Sequence, residues 1–184
     1  MSNVPAAAPL ILTLGFDGAT FGVVDRLRRA HFPPKRNFIP AHLTLFHHLP
    51  GERVEAVVAD LHDLASRTAA FDLALAGPRF LGKGVALDVV APPLLRVRAD
   101  LATRWAAWLG PQDAQPYRRP HVTVQNKVDP AVARGLYERM RREWEPLAGR
   151  GESLRLWRYL GGPWEAVGSF PLADVASSDP ALCR

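Results

Sequence analysis

Two six-residue stretches, Ala41-His42-Leu43-Thr44-Leu45-Phe46 and Pro120-His121-Val122-Thr123-Val124-Gln125, constrain the chain more than any other part of it. Both read His-x-Thr-x with apolar residues at the x positions. This alternation is the pattern of a half-buried strand, whose successive side chains point to opposite faces. His42, Thr44 and Phe46 are therefore expected on one face, with Leu43 and Leu45 on the other. His121, Thr123 and Gln125 stand in the same relation to Val122 and Val124. Each strand would bury its apolar face and offer an imidazole and a hydroxyl about 6.5–7 Å apart on the other. One such strand means little; two suggest a half-site used twice.

The surrounding sequence repeats in the same order. An apolar run from Ala6 to Leu14 leads into a strand over Leu10 to Phe16. Asp17-Gly18 turns it, and helical spacing follows over Ala19 to Ala30. A loop from His31 to Pro40, made extended by Pro33, Pro34 and Pro40, carries Lys35 and Arg36 into the first His-x-Thr strand. An amphipathic helix over Val54 to Ala65 and a strand over Phe71 to Leu75 close the first half, with Gly77-Pro78 breaking the strand and Phe80-Leu81 as its candidate continuation. Gly82-Lys83-Gly84 then connects to a strand over Val85 to Val90 and a helix over Leu94 to Leu109. The loop from Gly110 to Pro120 carries Tyr117, Arg118 and Arg119 into the second His-x-Thr strand. Asp129-Pro130 has the pattern of a helix start, with Ala131, Leu136, Met140 and Trp144 as its buried stripe. Leu154 to Leu160 and Trp164 to Phe170 read as a hairpin about Gly161-Gly162-Pro163.

His121 follows His42 by 79 positions (121 − 42), and the same offset pairs Gly51 with Pro130 at the start of the next helix. Each half reads strand, helix, His-x-Thr strand, helix, strand. The expected organisation is one α+β domain over residues 1–184. Lobe 1 would cover about 8–82, lobe 2 about 83–172 and a tail 173–184, with the two His-x-Thr strands facing each other across a groove.

A chain of 184 residues, 48% of them hydrophobic, can bury the core such a domain needs. The net charge of +5 leans toward a phosphate ester or nucleic acid as partner. Cys183, the one cysteine, cannot form an internal disulfide, which fits a reducing compartment. No apolar run reaches the ~18 residues of a membrane span, and no positive charge precedes the N-terminal apolar run as in a signal peptide. The expected location is cytoplasmic, and the expected state is a monomer.

Two histidines on opposite sides of a cleft suit acid–base chemistry. A neutral imidazole takes a proton from the attacking oxygen while a protonated one gives a proton to the leaving oxygen. Two threonine hydroxyls can donate to the non-bridging oxygens of a phosphate, where charge builds. No metal or other cofactor is needed. His47 and His48 suggest zinc beside His42, but in a regular strand His47 points away from His42, and no cysteine or acidic cluster completes a site.

On His42-Leu43-Thr44-Leu45, on His121-Val122-Thr123-Val124 and on the repeat around them, the chain resembles the 2H phosphoesterases, in the bacterial branch called 2′-5′ RNA ligase-like. The resemblance covers roughly residues 8–172. It implies a bilobal fold of two antiparallel sheets with outer helices and a central cleft. It also implies opening of 2′,3′-cyclic phosphates on RNA ends or nucleotides to a 2′-phosphate, with 2′-5′ ligation as the reverse. His42 and His121 carry over as acid and base, in an order left open, and Thr44 and Thr123 as phosphate ligands.

Around that core, Arg118, Arg119, Lys35 and Arg36 could guide a phosphate backbone, Tyr117 could stack on a base, and Phe46 and Gln125 could line the cleft. Trp157, Tyr159 and Trp164 read as sheet packing. The rival reading is a non-catalytic RNA- or nucleotide-binding module with the same cleft, although recognition alone would tolerate loss of one imidazole. A serine or cysteine nucleophile has no support, since Gly-x-Ser-x-Gly is absent and Cys183 is terminal.

Overall fold

A computed structural model describes residues 8–174; Ala6 and Ala7 at the start of the apolar run, and most of the expected tail with Cys183, lie outside the described residues. β1 (Leu10–Phe16) is buried along its whole length, as a nearly all-apolar run requires. Asp17 ends it and caps α1 (Gly18–His31), its carboxylate accepting the backbone N–H groups of Ala19 and Thr20, each at 2.9 Å. The same carboxylate accepts the N–H of Arg150 at 2.8 Å, fixing the helix start against the sheet.

The chain continues through β2 (Leu43–Leu49), α2 (Val54–Ser66), β3 (Phe71–Phe80), β4 (Val85–Val90), α3 (Pro92–Arg104), β5 (His121–Gln125), α4 (Pro130–Glu143), β6 (Leu147–Tyr159) and β7 (Trp164–Pro171). Every strand pairing is antiparallel, in the order β2-β1-β6-β3-β4-β5, with β7 on β6. The order reads the same from either end once β1, β2 and β3 are exchanged for β4, β5 and β6.

The strands form one sheet, not the two expected, because β6 begins at Leu147 and not Leu154. Its first half pairs with β3, and its second half lies between β1 and β7. The extension was hidden by Gly149 and Gly151, which break the apolar alternation. At Gly149 the Thr20 side chain of α1 lies where a Cβ would stand, so only glycine lets helix and sheet approach this closely. Pairing also crosses the expected lobe boundary at residue 82, since β3 bonds β4 and β6, and β6 bonds β1.

Three local expectations are corrected. β3 runs on through Gly77-Pro78 to Phe80, with a register shift between Leu75 and Gly77 absorbing the break. α3 stops at Arg104, where Trp105 drops fully into the core and donates its indole N–H to Asp60 at 2.7 Å. The buried stripe of α4 is Ala133, Leu136 and Met140, with Ala131 exposed. Leu43, Leu45, Val122 and Val124 are buried as the alternation predicts. Each contributes about 1.5–3 kcal/mol of apolar burial that fixes which face of β2 and β5 turns outward.

Candidate active site

β2 and β5 stand at the two ends of the strand order, yet the sheet curls until they touch. Between them is a cleft of about 220 Å³ whose walls include His42, Thr44, His121 and Thr123. Both sequence motifs thus meet in one cavity. Ile11, His47, Tyr117 and Trp164 complete the lining.

The two imidazoles are held alike. His42 Nδ1 lies 2.8 Å from the carbonyl oxygen of Pro40, and His121 Nδ1 lies 3.0 Å from that of Arg119, two residues upstream in each case. A carbonyl can only accept, so Nδ1 carries the proton and Nε2 is the nitrogen left for a ligand. Burial pushes His42 down to about 4; the Pro40 hydrogen bond opposes this, while Arg28, His47 and His121 add to it. Burial also lowers His121. The Arg119 hydrogen bond and Asp88 oppose that shift, and Arg79 and His47 reinforce it. Against the flank of His42 stands Trp164, with ring centroids 4.7 Å apart.

The alternation fails after each threonine. Phe46 is fully buried, its ring 5.0 Å from that of Trp105 and covered by the Arg98 guanidinium at 3.6 Å. Gln125 is likewise buried at 4% exposure, so neither residue lines the cleft as expected. The reason is a register irregularity in each strand. β1 and β2 shift between Leu10 and Thr13, and β4 and β5 shift between Val85 and Ala86. A bulge turns the following residues to the other face. In β2 this brings His47 into the cleft beside His42, against the expectation that it points away.

Asp113, in the loop before β5, holds that irregularity. Its carboxylate accepts the backbone N–H of His47 through both oxygens at 3.0 Å and that of His48 at 2.8 Å. Arg98 in turn donates to the carbonyls of Leu45 and Asp113. Sequence reasoning passed over Asp113 and Arg98 because nothing local marks a loop aspartate or a helix arginine as buried; both are 3% exposed.

Among the outer candidates, Tyr117 lines the cleft, but its hydroxyl donates to the carbonyl of Thr44 at 2.8 Å. Its ring is therefore part of the wall. Arg118 and Arg119 are exposed outside the cleft lining, and Arg119 lies 3.7 Å from Asp88. Lys35 and Arg36 lie in a short 3₁₀ turn, Pro34–Arg36. Arg36 borders an adjoining hollow of about 480 Å³ that shares His42, Thr123 and Trp164 with the cleft. Trp164, expected as sheet packing, is thus a wall of both spaces; its position just after Gly161-Gly162-Pro163 was the one available clue. Among the described residues no group of three His, Cys, Asp or Glu side chains is placed to hold a metal ion, and no helix is long and apolar enough to cross a membrane.

The model of the 2′-5′ RNA ligase superfamily matches residues 16–163. No curated protein matches the chain. Among solved structures, TT0787 of Thermus thermophilus is similar at a TM-score of 0.65 and 19% identity, over 90% of this chain and 98% of that one. E. coli LigT complexed with 3′-AMP is similar at 0.59 and 18%, over 91% and 99%. The same protein complexed with phosphate is similar at 0.60 and 16%, over 92% and 99%.

Proposed function

The chain belongs to the 2′-5′ RNA ligase superfamily, and on that premise we propose that it is a metal-independent 2′,3′-cyclic phosphodiesterase acting on RNA ends or nucleotides. What carries the reading is the convergence of two His-x-Thr strands on one cleft, each imidazole tied through Nδ1 and free at Nε2. The complexes of LigT with 3′-AMP and with phosphate support a substrate that joins a nucleoside to a phosphate.

In ring opening, a neutral imidazole takes a proton from water as the water oxygen bonds to phosphorus. The P–O3′ bond breaks, and the second, protonated imidazole gives its proton to O3′, leaving a 2′-phosphate. The same ring opening with a 5′-hydroxyl in place of water as the attacking group forms a 2′-5′ linkage. Thr44 and Thr123 donate to the non-bridging oxygens. His42, lowered to about 4, is neutral near pH 7 and suits the base role, while Asp88 beside His121 favours its protonated form and suits it to the acid role in the hydrolytic direction.

The test is turnover of 2′,3′-cyclic nucleotides and of a short RNA with a 2′,3′-cyclic end in excess EDTA. Ring opening to the 2′-phosphate is expected. Activity that chelation abolishes and zinc restores overturns the metal-free mechanism. Binding without turnover makes the protein a nucleotide-binding module.

A further inference from the structure

The cleft holds a third imidazole that the two-histidine mechanism does not use. His47 is about half exposed, with its side chain at 48% against 3% for Asp113, and its Nδ1 lies 3.3 Å from an Asp113 oxygen. That carboxylate also accepts the backbone N–H groups of His47 and His48, so one buried group fixes the bulge and the ring together. Burial would raise the Asp113 carboxyl, but hydrogen bonds from the His47 ring and from the His47 and His48 backbones outweigh it and hold it below the usual carboxylate value. Asp113 is therefore an anion at neutral pH. A carboxylate facing Nδ1 keeps the proton on that nitrogen, and the ring nitrogen left for a ligand is Nε2.

We propose that His47, held by Asp113, is a third phosphate-binding group of this cleft, donating from Nε2 to an anionic oxygen of the bound phosphoester. This deepens the reading of the site as a phosphoesterase and rests on it. An anionic oxygen on each ring nitrogen favours two N–H donors, so His47 can bring the bound anion a positive charge that neither threonine can. Its place is with the anion: the acid and base roles already belong to His42 and His121, whose Nδ1 atoms face neutral carbonyls. The product, a 2′-phosphate with one more charge than the cyclic diester, gains most from the contact.

Inorganic phosphate is the probe, titrated calorimetrically into the full chain between pH 6 and 8. His47→Gln, which keeps a donor but no charge, is expected to weaken phosphate binding about tenfold, because charge-assisted hydrogen bonds are roughly twice as strong as neutral ones. His47→Phe should weaken it further, and KM should rise more than kcat falls. Wild-type affinity should fall more steeply with pH than that of His47→Gln. His42, lowered to about 4, stays neutral through this range in both proteins, and His121 across the cleft and the ionisation of phosphate itself are common to both; Tyr117, Asp113 and Arg98 behind the ring keep their charge states. Asp113→Asn is informative only where its far-ultraviolet circular dichroism matches wild type; the two His47 variants decide the matter without it.

Phosphate affinity and KM within about twofold of wild type in both His47 variants overturn the proposal, whatever the activity on cyclic phosphates. A wild type inactive on every cyclic phosphate, yet with phosphate binding that drops in His47→Gln, overturns the ring-opening reading and leaves His47 as a phosphate ligand.

Discussion

Arg28, near the end of α1, donates from Nη1 to the backbone carbonyl of Thr123 at 2.8 Å, across 95 positions of sequence. Tyr117 donates to the carbonyl of Thr44 at the same distance in the opposite direction, from the second half to the first. Each threonine of the cleft is thus positioned by a side chain from the other half. β2 and β5 end the strand order, so carbonyls on their open sides need such partners. Arg28 also bonds Asn37 Oδ1 at 2.8 Å and the Ile39 carbonyl at 3.2 Å, and it is only 4% exposed. Arg28→Leu therefore strands three acceptors and is expected to cost about 3 kcal/mol or more in urea unfolding, at about 1–3 kcal/mol for each buried group left unpaired. Tyr117→Phe leaves one acceptor unpaired and should cost about 1–2 kcal/mol by the same reasoning.

His42→Ala and His121→Ala should each lower kcat on a 2′,3′-cyclic nucleotide by about 10²-fold or more. Both rings are half-buried at the cleft wall, so melting temperatures should move by only a few degrees. The double variant should lose little beyond the worse single one, because an acid and a base that act in one step are not additive. Losses that multiply would mean that the two imidazoles act in separate steps.

The pH dependence of kcat/KM follows from the two depressed histidines. His42 must be neutral to act as base, and that holds above about 4. His121 must be protonated to act as acid, and burial has moved its deprotonation below the ordinary 6.5. The free enzyme should therefore give a bell whose alkaline limb falls before the usual histidine value. Asp88 opposes the lowering of His121, so Asp88→Asn should move that limb further toward acid. An alkaline limb above pH 7 in wild type would assign it to a different group.

The motifs, the helix start at Asp129 and the order of elements were legible because each is a local pattern. The strand period shows which residues alternate, and an aspartate before a proline at a helix start has one local meaning. What escaped were features made by distant groups. Phe46, Gln125 and His47 face the way they do because β2 and β5 bulge against their neighbours, and no period within six residues records a bulge. Arg98 and Arg28 matter through carbonyls 11 to 95 positions away, and Asp113 through backbone N–H groups 65 and 66 positions away. The join between the halves was missed at Gly149 and Gly151, where close packing demands residues that read as a loop.

Trp164 forms a wall shared by the cleft and the hollow beside it, with its ring against His42. A base bound in that hollow would stack on an aromatic face, a contact worth about 1–3 kcal/mol. Trp164→Ala should raise KM for a cyclic nucleotide about tenfold or more, with a smaller fall in kcat. Titrating 3′-AMP into both proteins separates the two effects, since it reads base affinity without the chemical step. Equal 3′-AMP affinity in wild type and variant would leave Trp164 as a support for His42 only.

Gly84 and Gly22 make a matched pair for the role of close packing near β5. Gly84 is buried, and a Cβ there would lie 2.6 Å from the Cα of Asn126 and 2.7 Å from the carbonyl carbon of Gln125. These are backbone atoms at the end of β5, so they cannot swing aside as a side chain would. Gly84→Ala must displace the strand that carries His121 and Thr123, and overpacking of this kind costs about 1–3 kcal/mol. It should lower unfolding stability by about that much and reduce kcat/KM together with it. Gly22 lies inside α1 with nothing within 4 Å of where a Cβ would stand, so Gly22→Ala meets only the helix preference for alanine and should raise stability by about 0.5–1 kcal/mol. Loss of stability and activity at residue 84, beside a gain in stability with unchanged kcat at residue 22, is the outcome expected if the β4–β5 contact sets the position of the second His-x-Thr strand.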